Sequence, residues 1–596
     1  MDGNASDRIR LWPGVAAVAL LWVVRFGVPL ISPDAWAYGL LGSAAMALVV
    51  LVWWIFFSRI SLGDRLFGLA MIAVGIVAMR PILHESIAGG MMGMMFPVYA
   101  VPAICLALVS WALVSGRLPS GARKPALAAV ILAACAIFTS IRTDGIYGQT
   151  GSQMAWRWTK SHEEQLLAAK TELPAPETKP APLVAEPKPV AEAAPVVRVK
   201  TPEPVSAAPV EQGPEWPGFR GAHRDSVVRG VRISTDWAAS PPVEVWRRAV
   251  GPGWSSFAVH GGLVYTQEQR GESEMVTCYR LSNGEPVWAH RDAARFWESN
   301  GGAGPRGTPT VSGGRVYAFG ATGILNALDA KSGALVWTRN VASDTGAKLP
   351  GWGFSSSPVV VEGTVIVAAS GHLAAYDIAR GELRWKLAAG GGSYGSPHVA
   401  TIGGMTQVML MSGEGAVGVA PADGSVLWKH AWEGAAILQP AFTDDGGVLI
   451  ATGSQGGGEG TRRLAVSQSG NSWTAEARWT SQGLKPYFND LVVHKGHAFG
   501  FDGSILSCID LKDGARKWKG GRYGHGQMLL LADQDLLLVL SEEGEVALVG
   551  AATGQFTEIA RFRAMNGKTW NHPAMAGNVL LVRNGEEMVA LRLPGA

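Results

Sequence analysis

The chain has 596 residues, more than a single hydrophobic core usually supports, so several structural units are expected. Apolar residues make up 48% of the sequence and charged residues only 17%, a balance that favours membrane segments joined to a soluble part. The net charge is +3, and no dense basic block with interleaved aromatic residues occurs. This charge pattern argues against nucleic acid as a partner.

The apolar excess lies in residues 1–141, which we interpret as an α-helical membrane domain. Crossing the hydrocarbon core of a bilayer takes about 20 apolar residues. Five stretches of this kind are predicted at about 13–31, 36–57, 65–83, 91–115 and 125–141. Arg25 lies in the first span, where its charge is costly in lipid, so we expect an interhelical contact or snorkelling, with a quinone or proton site as the alternative.

Lys and Arg in the short connections predict the orientation of the spans. With the N-terminus inside, the outer loops carry Arg80 alone. The cytoplasmic pieces then carry Arg8, Arg10, Arg59, Arg65, Arg117, Arg123 and Lys124. This distribution predicts a bacterial inner-membrane protein with a cytoplasmic N-terminus and a periplasmic region after the fifth span.

Residues 142–215 are interpreted as a juxtamembrane segment and a linker. Trp156, Arg157 and Trp158 form a combination typical of the membrane interface, and a short helical stretch, SHEEQLLAAK, follows them. From about residue 171 to 215, Pro, Ala, Glu and Lys dominate without the period of a helix or a strand. This composition predicts an extended, partly stiff spacer.

From Trp216 to the end, short strand-like runs alternate with Gly, Asp and Ser turns. Within them, Asp329, Gly333 and Trp337 form a unit that recurs with the same or similar spacing. Asp can hydrogen-bond its own turn, Gly takes the positive φ that the turn needs, and Trp is a large apolar plug. We therefore expect five tryptophans to dock between neighbouring sheets: Trp288, Trp337, Trp385, Trp428 and Trp518.

The spacing of these units predicts the architecture. Periods of about 40 to 50 residues are typical of β-propeller blades. A polar residue precedes the first strand of each repeat, at Ser256, Thr308, Ser357, Ser396, Gln439, Asn489, Gln527 and His572. Residues 216–596 are therefore predicted to form an all-β, eight-bladed propeller, whose last blade takes its outer strand from the segment around Trp246 and so leaves no free sheet edge.

These eight polar residues form a predicted ring around the propeller axis. Small polar groups at this place commonly line the central channel, so channel lining or a generic binding surface is the expected role. A specific pocket for a cofactor or another small ligand is the alternative.

The pattern Ala-x-Asp-x-x-x-Gly-x-x-x-Trp, clearest from Ala327 to Trp337, resembles the tryptophan-docking repeat of the pyrroloquinoline quinone (PQQ)-type propellers. The stretch WPGFRGAHRD, residues 216–225, is similar to the lead-in of many bacterial proteins of that group. The resemblance implies the fold over about residues 216–596. It implies either of two roles, because the repeat builds quinoprotein dehydrogenases and also the non-catalytic propeller factor of outer-membrane protein assembly. Five spans before a propeller also resemble the membrane-bound quinoprotein glucose dehydrogenase.

A PQQ site would need cations for the carboxylates, an aromatic floor, oxygen ligands for a divalent ion and a carboxylate base. The cofactor-binding candidates are Arg306, Lys348, Trp352, Asn489, Arg522, Lys568 and Trp570, with Trp254 and Asn300 beside them. The candidate catalytic carboxylates are Asp490 and Glu298. Because side chains alternate along a strand, Asp490 should point away from Asn489, so a Ca²⁺ site would need loop residues such as Glu298 to fold inward.

Together these features favour a membrane-anchored periplasmic propeller that acts as a binding or assembly scaffold in the cell envelope. For this role no cofactor or metal is expected, and the partners are the inner membrane and an envelope protein. The alternative is a PQQ-dependent dehydrogenase that uses PQQ with Ca²⁺, oxidises an alcohol or a sugar and passes electrons to membrane quinone.

Overall fold

A computed structural model describes residues 11–31, 36–147, 151–169, 173–176, 215–453 and 458–596. The chain divides into two compact units. The first is Met1–Ala169 together with Trp297–Ala303, and the second is Lys170–Phe296 together with Gly304–Ala596.

Within the described part of the first unit, five helical segments are long and apolar enough to cross a membrane, as predicted: Trp12–Ile31, Tyr38–Phe57, Leu62–Met79, Met95–Ser115 and Ser120–Ser140. The α-helices are Trp12–Trp22, Val28–Ile31, Trp36–Val52, Leu62–Met79, Glu85–Gly89, Met95–Ser115, Ser120–Ala136 and His162–Ala168. Short π-helical turns cover Val23–Gly27 and Trp53–Phe57, and 3₁₀ turns cover Gly90–Gly93 and Ile137–Ser140.

The bounds of three spans differ from the prediction. The third begins at Leu62 rather than near residue 65, because the Ser61 hydroxyl accepts a hydrogen bond from the Asp64 N–H at 3.1 Å and caps the helix. The fourth begins at Met95 rather than near 91, because Met91 and the residue after it have φ values of 51° and 57° and interrupt the helix. The fifth begins at Ser120 rather than near 125.

Arg25 is buried in the first unit, and its guanidinium lies 5.1 Å from the ring centroid of Tyr99 on the fourth span. The same unit contains a hairpin that the sequence did not predict, in which Ile141–Tyr147 pairs antiparallel with Gly151–Trp156. A second, two-residue pair joins Trp297–Glu298 to Gly302–Ala303. The predicted spacer lies outside the described residues except for residues 173–176 and 215.

The second unit, over residues 215–296, 304–453 and 458–596, is the predicted eight-bladed propeller. The strands of each blade are given from the innermost outward. Blade 1 is formed by Ala258–His260, Leu263–Arg270, Ser273–Arg280 and Pro286–Asp292, and blade 2 by Thr310–Ser312, Arg315–Phe319, Ile324–Asp329 and Leu335–Asn340. Blade 3 is formed by Val359–Val361, Thr364–Ala369, His372–Asp377 and Leu383–Ala388, and blade 4 by His398–Ile402, Met405–Ser412, Gly415–Val419 and Val426–Ala431. Blades 5 to 7 are formed by Ala441–Phe442, Gly447–Thr452, Gly460–Ser469 and Ser472–Ser481; by Val492–His494, His497–Asp502, Ile505–Asp510 and Arg516–Arg522; and by Gln527–Leu531, Leu536–Leu540, Glu545–Gly550 and Glu558–Arg563. Short helices cover Val341–Thr345 and Ala532–Gln534.

Blade 8 closes the ring as predicted. Its inner strands are Ala574–Ala576, Val579–Arg583 and Glu587–Arg592, and Val243–Ala249 adds the outer strand, with Trp246 opposite Ala590. Val227–Val228 pairs in parallel with the inner strand of blade 7. The chain before blade 1 therefore contributes strands to the last two blades.

The hydrophobic core lies between successive blades, where each tryptophan of the regular repeats docks on the turn glycine of the next blade. A Cβ atom on Gly381, whose φ is 70°, would lie 2.6 Å from the Trp337 ring, so both the backbone and the space require glycine. The Trp337 indole Nε1 donates to the Ile378 carbonyl of the same turn at 3.2 Å. The same docking joins Trp246 to Gly284, Trp288 to Gly333, Trp385 to Gly424 and Trp479 to Gly514.

Two of the predicted docking tryptophans make contacts that differ from those of the regular repeats. Trp428 lies over Gly418 of its own blade, and its indole donates to the Gln407 side chain of that blade at 2.8 Å. Trp518 donates to the Ala552 carbonyl of blade 7 at 2.7 Å and packs on Phe556. Trp428 still packs in one buried cluster with Val448 and Ile450 of blade 5, and the long hairpin of that blade adds a further contact, where Trp473 meets Gly403.

Candidate functional site at the propeller axis

The eight polar residues of the predicted ring are buried around the axis, and none is more than 6% exposed. Those of the first blades form a chain of hydrogen bonds from blade to blade. Thr308 Oγ1 accepts from the Ser256 N–H at 3.0 Å, Ser357 Oγ accepts from the Thr308 N–H at 3.0 Å, and Ser396 Oγ accepts from the Ser357 N–H at 2.8 Å. Each side chain thus binds the backbone of the preceding blade.

Further hydrogen bonds of the ring join the later blades and close it on blade 1. Asn489 Nδ2 donates to the Gly526 carbonyl at 2.7 Å, and the Ser256 hydroxyl donates to the His572 carbonyl at 2.5 Å. Between blades 5 and 6, the Asp490 carboxyl group accepts a hydrogen bond from the Gln439 N–H at 2.8 Å. The ring therefore holds blades together, and the Asp490 carboxyl group takes part in these contacts.

The lead-in segment, Trp216–Ser226, runs along the innermost strands. Trp216 forms a backbone bridge with Val259 of blade 1, and the Pro217 carbonyl accepts from the Val311 N–H of blade 2 at 2.7 Å. At the other end of the segment, the Ser226 carbonyl accepts a hydrogen bond from the Leu530 N–H, on the inner strand of blade 7, at 2.9 Å. This single segment therefore contacts blades on different sides of the axis.

Two arginines of the lead-in segment are buried. Arg220, 1% exposed, donates to the Leu491 carbonyl of blade 6 at 2.8 Å and lies 3.7 Å from the Asp490 carboxylate. Arg224, 7% exposed, donates to the carbonyls of Ser357 and Pro358 beside blade 3 at 3.0 and 2.9 Å. Burial, together with the charge of Arg220, lowers the pKa of Arg224 to about 9, so its guanidinium remains charged at neutral pH.

Burial also sets the protonation of the neighbouring groups. Burial and the charge of Arg220 lower the pKa of His572 to about 3. Burial and the charges of both arginines lower the pKa of His398 well below its usual value. Both imidazoles are therefore neutral at pH 7. Burial raises the pKa of Asp490, although the two arginines act in the opposite direction.

A second feature is the loop aromatic cluster, formed by the connections between blades. Its neighbouring ring centroids lie 4.9 to 6.4 Å apart, and the cluster comprises Trp254, Trp352, Tyr394, Tyr487, Phe488, His525 and Trp570. Lys568 Nζ lies 4.9 Å from the Trp254 centroid and 4.3 Å from the Trp570 centroid, within cation–π range.

Glu542 adds a negative charge beside this cluster. Its carboxylate accepts from Trp570 Nε1 at 2.7 Å and from the His525 N–H at 3.0 Å. Burial acts to raise the pKa of Glu542, but the hydrogen bonds and charge of His525 lower it to about 2. The carboxylate is therefore ionised at neutral pH and engaged by two members of the cluster.

The structure brings together only some of the residues that were predicted to bind a cofactor. Trp352, Lys568 and Trp570 lie in the loop aromatic cluster, and Arg306 lies beside it, donating to the Trp352 carbonyl at 3.2 Å. Arg306 also lies 5.0 Å from the Phe296 ring. These residues form one aromatic and cationic region.

The other candidates lie elsewhere. Lys348 is exposed, and Arg522 is on the outer strand of blade 6, where it donates to Ser504 at 2.7 Å. Asn489 is fully buried in the ring beside Asp490. The last candidates, Glu298 and Asn300, belong to the first unit, where the Glu298 carboxylate accepts the N–H of Asn300 at 2.7 Å.

These positions do not fit a site in which a carboxylate binds Ca²⁺ next to PQQ. Asp490 faces Arg220, and Glu542 is held by His525 and Trp570. Over the described ranges, no three His, Cys, Asp or Glu residues are grouped to hold a metal ion.

Sequence reasoning missed three charged groups of the axis and the loops: Arg220, Arg224 and Glu542. The two arginines lie in the stretch WPGFRGAHRD, where they are four positions apart. That stretch served only as a family marker, and nothing in its pattern indicates burial. Glu542 lies in an ordinary turn sequence, SEEGE, and its role depends on Trp570, 28 residues away.

Comparison with known proteins relates this propeller to a described group. The family model for the outer membrane protein assembly factor BamB, a PQQ-like repeat family, matches residues 289–520. BamB of Yersinia pestis is 26% identical over 323 residues, which cover 52% of this chain and 70% of that protein.

Solved structures with a similar fold include a quinohemoprotein alcohol dehydrogenase, ADHIIG, from Pseudomonas putida HK5. It shares 13% identity over 64% of this chain and 80% of its own, with a TM-score of 0.45. BamB from Moraxella catarrhalis shares 14% identity over 59% of this chain and 86% of its own, with a TM-score of 0.32. The predicted resemblance is confirmed by the family match: the propeller of this chain is similar to the PQQ-like β-propeller repeat proteins, with BamB among its relatives.

Proposed function

We propose that this chain is a membrane-anchored protein of the bacterial envelope whose propeller binds a protein partner and acts as an assembly or binding scaffold. The main observation behind this proposal is that the polar groups at the propeller axis already have partners within the chain. The groups that could have formed a cofactor pocket there, Arg220, Asp490 and the polar ring, are engaged in holding the blades together. We therefore assign binding of the protein partner to the loops between blades.

The matched relative supports the same role, because BamB is by its name an assembly factor of the outer membrane. The loop aromatic cluster also has the composition of a protein-binding surface, in which aromatic residues and arginine are enriched. Partner binding through this side of the propeller requires no chemistry at the axis.

Anchoring and orientation form part of the proposal. The five apolar helices fit an inner-membrane anchor, and the arginines of the short connections favour a cytoplasmic N-terminus. Fusion of alkaline phosphatase to the C-terminus should give an active enzyme in cells, whereas a C-terminal green fluorescent protein should stay dark when exported by the general secretion route. The reverse pair of results would place the propeller in the cytoplasm.

The binding role is tested by placing a photo-crosslinking amino acid at two exposed leucines of the full chain in cells. Leu349 is 53% exposed in the connection between blades 2 and 3, whereas Leu335 is 49% exposed on the outer strand of blade 2 and serves as the matched control. We expect a discrete cross-linked envelope protein from Leu349 and none from Leu335. No product at either position, or the same product at both, would contradict recognition through the loops.

Calorimetric titration of PQQ, with and without Ca²⁺, into the full chain in detergent separates the scaffold from the dehydrogenase. Saturable, Ca²⁺-dependent binding that Lys568→Gln weakens would replace the scaffold by the dehydrogenase. A folded protein that gives no binding heat supports the scaffold.

A further inference from the structure

The buried axis carries more positive than negative charge. The Asp490 carboxylate lies 3.7 Å from the Arg220 guanidinium and acts also on Arg224. At the axis, two buried guanidinium groups, Arg220 and Arg224, therefore face one buried carboxyl group, Asp490. A buried charge without a counter-charge costs several kcal/mol, and folded proteins normally compensate it.

Arg224 also has an unused hydrogen-bond donor. Its two Nη atoms donate to the carbonyls of Ser357 and Pro358, but its Nε is buried and has no hydrogen-bond partner among the described residues. Buried polar groups of native proteins nearly always have partners, so the Nε–H points to a bound species.

Two other buried residues of the axis also have an unpaired polar side-chain atom. His398, at the start of blade 4, is 2% exposed, and its Nδ1 has no partner within the described part of the chain. Ser357, whose carbonyl accepts from Arg224, donates its N–H to Ser396, two residues before His398, and the charge of Arg224 acts on this imidazole. Gln439, 6% exposed, has an unpaired side-chain oxygen in the same ring, and rotation of its amide would present an N–H instead.

We propose that the propeller axis binds one small monovalent anion, such as chloride, beside Arg224 and His398. An anion satisfies the Nε–H donor and balances the excess positive charge, whereas a water molecule would satisfy only the donor. The burial of every group around the site restricts the anion to a small one, and the balance of two guanidinium groups against one carboxylate requires a single negative charge.

The test is the thermal unfolding of the full chain in detergent, measured by intrinsic fluorescence at constant pH and ionic strength. Chloride and bromide are compared with gluconate, which is much larger than a halide. Because a ligand that binds only the folded state stabilises it, Tm should rise by about 2 °C or more from gluconate to chloride, with a saturable chloride dependence. Equal Tm values in the three salts would overturn the proposal.

Two variants locate the effect. Arg224→Gln removes the charge and the Nε–H, so Tm should no longer distinguish chloride from gluconate. Arg229→Gln is the matched control, because Arg229 lies five residues later, is exposed and pairs with Asp225 at 2.8 Å, and it should keep the chloride effect. A chloride effect that persists in Arg224→Gln would refute the site.

If Arg224→Gln does not fold, crystals of the wild-type chain grown in bromide decide the question. An anomalous peak within about 3.5 Å of Arg224 Nε, the hydrogen-bonding range for a halide, is expected. Ordered density at that position without an anomalous signal would identify a water molecule and contradict the proposal.

Discussion

The rim and the axis of the propeller hold the same blades together by different physical means. At the rim, a tryptophan of one blade packs on a glycine of the next, as Trp337 does on Gly381, and the contact is apolar and local. At the axis, Arg220 and Arg224 of one segment bind carbonyls beside blades 3 and 6. The rim thus joins neighbours, whereas the axis joins distant blades.

This difference has consequences for stability. A rim contact depends on buried apolar area and should respond weakly to pH and salt. An axis contact depends on buried charges and neutral histidines, so it should respond to pH and to the loss of either charged partner. Variants of the two regions should therefore differ in how much stability they lose and in how that loss depends on pH and salt.

The largest effect is expected at the rim for Trp337→Ala. The change leaves a cavity against Gly381 and removes the hydrogen bond to Ile378, so the free energy of unfolding should fall by about 3 to 5 kcal/mol. Urea unfolding of the full chain, followed by fluorescence at pH 6 and pH 8, measures the loss. It should be the same at both pH values.

Leu335→Ala on the same strand is the control, because Leu335 is 49% exposed and its truncation should change stability by less than about 0.5 kcal/mol. Equal losses in the two variants would show that indole docking does not hold the rim.

At the axis, Arg220→Met should cost about 3 to 4 kcal/mol, because it removes the guanidinium that lies 3.7 Å from the buried Asp490 carboxyl group and binds the Leu491 carbonyl. The second change Asp490→Leu, added to Arg220→Met, should recover part of this loss by removing the unpaired charge. Urea unfolding of both variants at pH 7 measures the difference. A double variant no more stable than Arg220→Met would mean that the ion pair itself contributes little.

Much of the rim could be predicted from the sequence because its determinants are close together in the chain. Gly333 and Trp337 are four residues apart, and their repetition at a nearly constant period predicts the number of blades and the outer strand that Trp246 supplies. Trp428 shows the limit of this reasoning: its spacing is regular, but the blade that follows lacks the turn glycine in the expected place and has a long hairpin instead.

The axis could not be predicted in the same way, because its contacts join residues that are far apart in the chain. Arg220 and Leu491 are 271 residues apart, and Arg224 and Pro358 are 134 apart. A local pattern does not indicate which arginine becomes buried. The loop aromatic cluster likewise depends on six connections meeting at one place, so the sequence suggested Trp352 and Trp570 but not Tyr487 or Phe488.

Trp428→Phe should give an intermediate effect at the irregular part of the rim. It removes the hydrogen bond to the buried Gln407 side chain and leaves that amide unsatisfied, which should cost about 1 to 3 kcal/mol. Trp337→Phe is the matched variant and should cost less, because its partner is a carbonyl at the edge of a turn. Adding Gln407→Leu to Trp428→Phe should restore stability if the unsatisfied amide is the cause, and no recovery would show that the indole acts by packing alone.

The last expected effect is a pH dependence of stability that comes from the axis. In the folded chain, burial and Arg220 lower the pKa of His572 to about 3, and burial with Arg224 and Arg220 lowers that of His398, whereas both titrate near 6.5 when unfolded. Below pH 6.5 the unfolded chain therefore takes up protons that the folded chain does not, and stability should fall as the pH decreases.

The expected slope between pH 6.5 and 5 is on the order of 1 kcal/mol per pH unit for each histidine. Glu542 acts in the same direction, but only below its unfolded pKa of 4.5, so this window separates the histidines from the carboxylate. His572→Gln, measured by urea unfolding at each pH, should reduce the slope by about 1 kcal/mol per pH unit. His223→Gln, at an exposed position of the same lead-in segment, should leave it unchanged. If His572→Gln keeps the full slope, the imidazole beside Arg220 is not the group that takes up the proton, and the acid sensitivity belongs to another part of the chain.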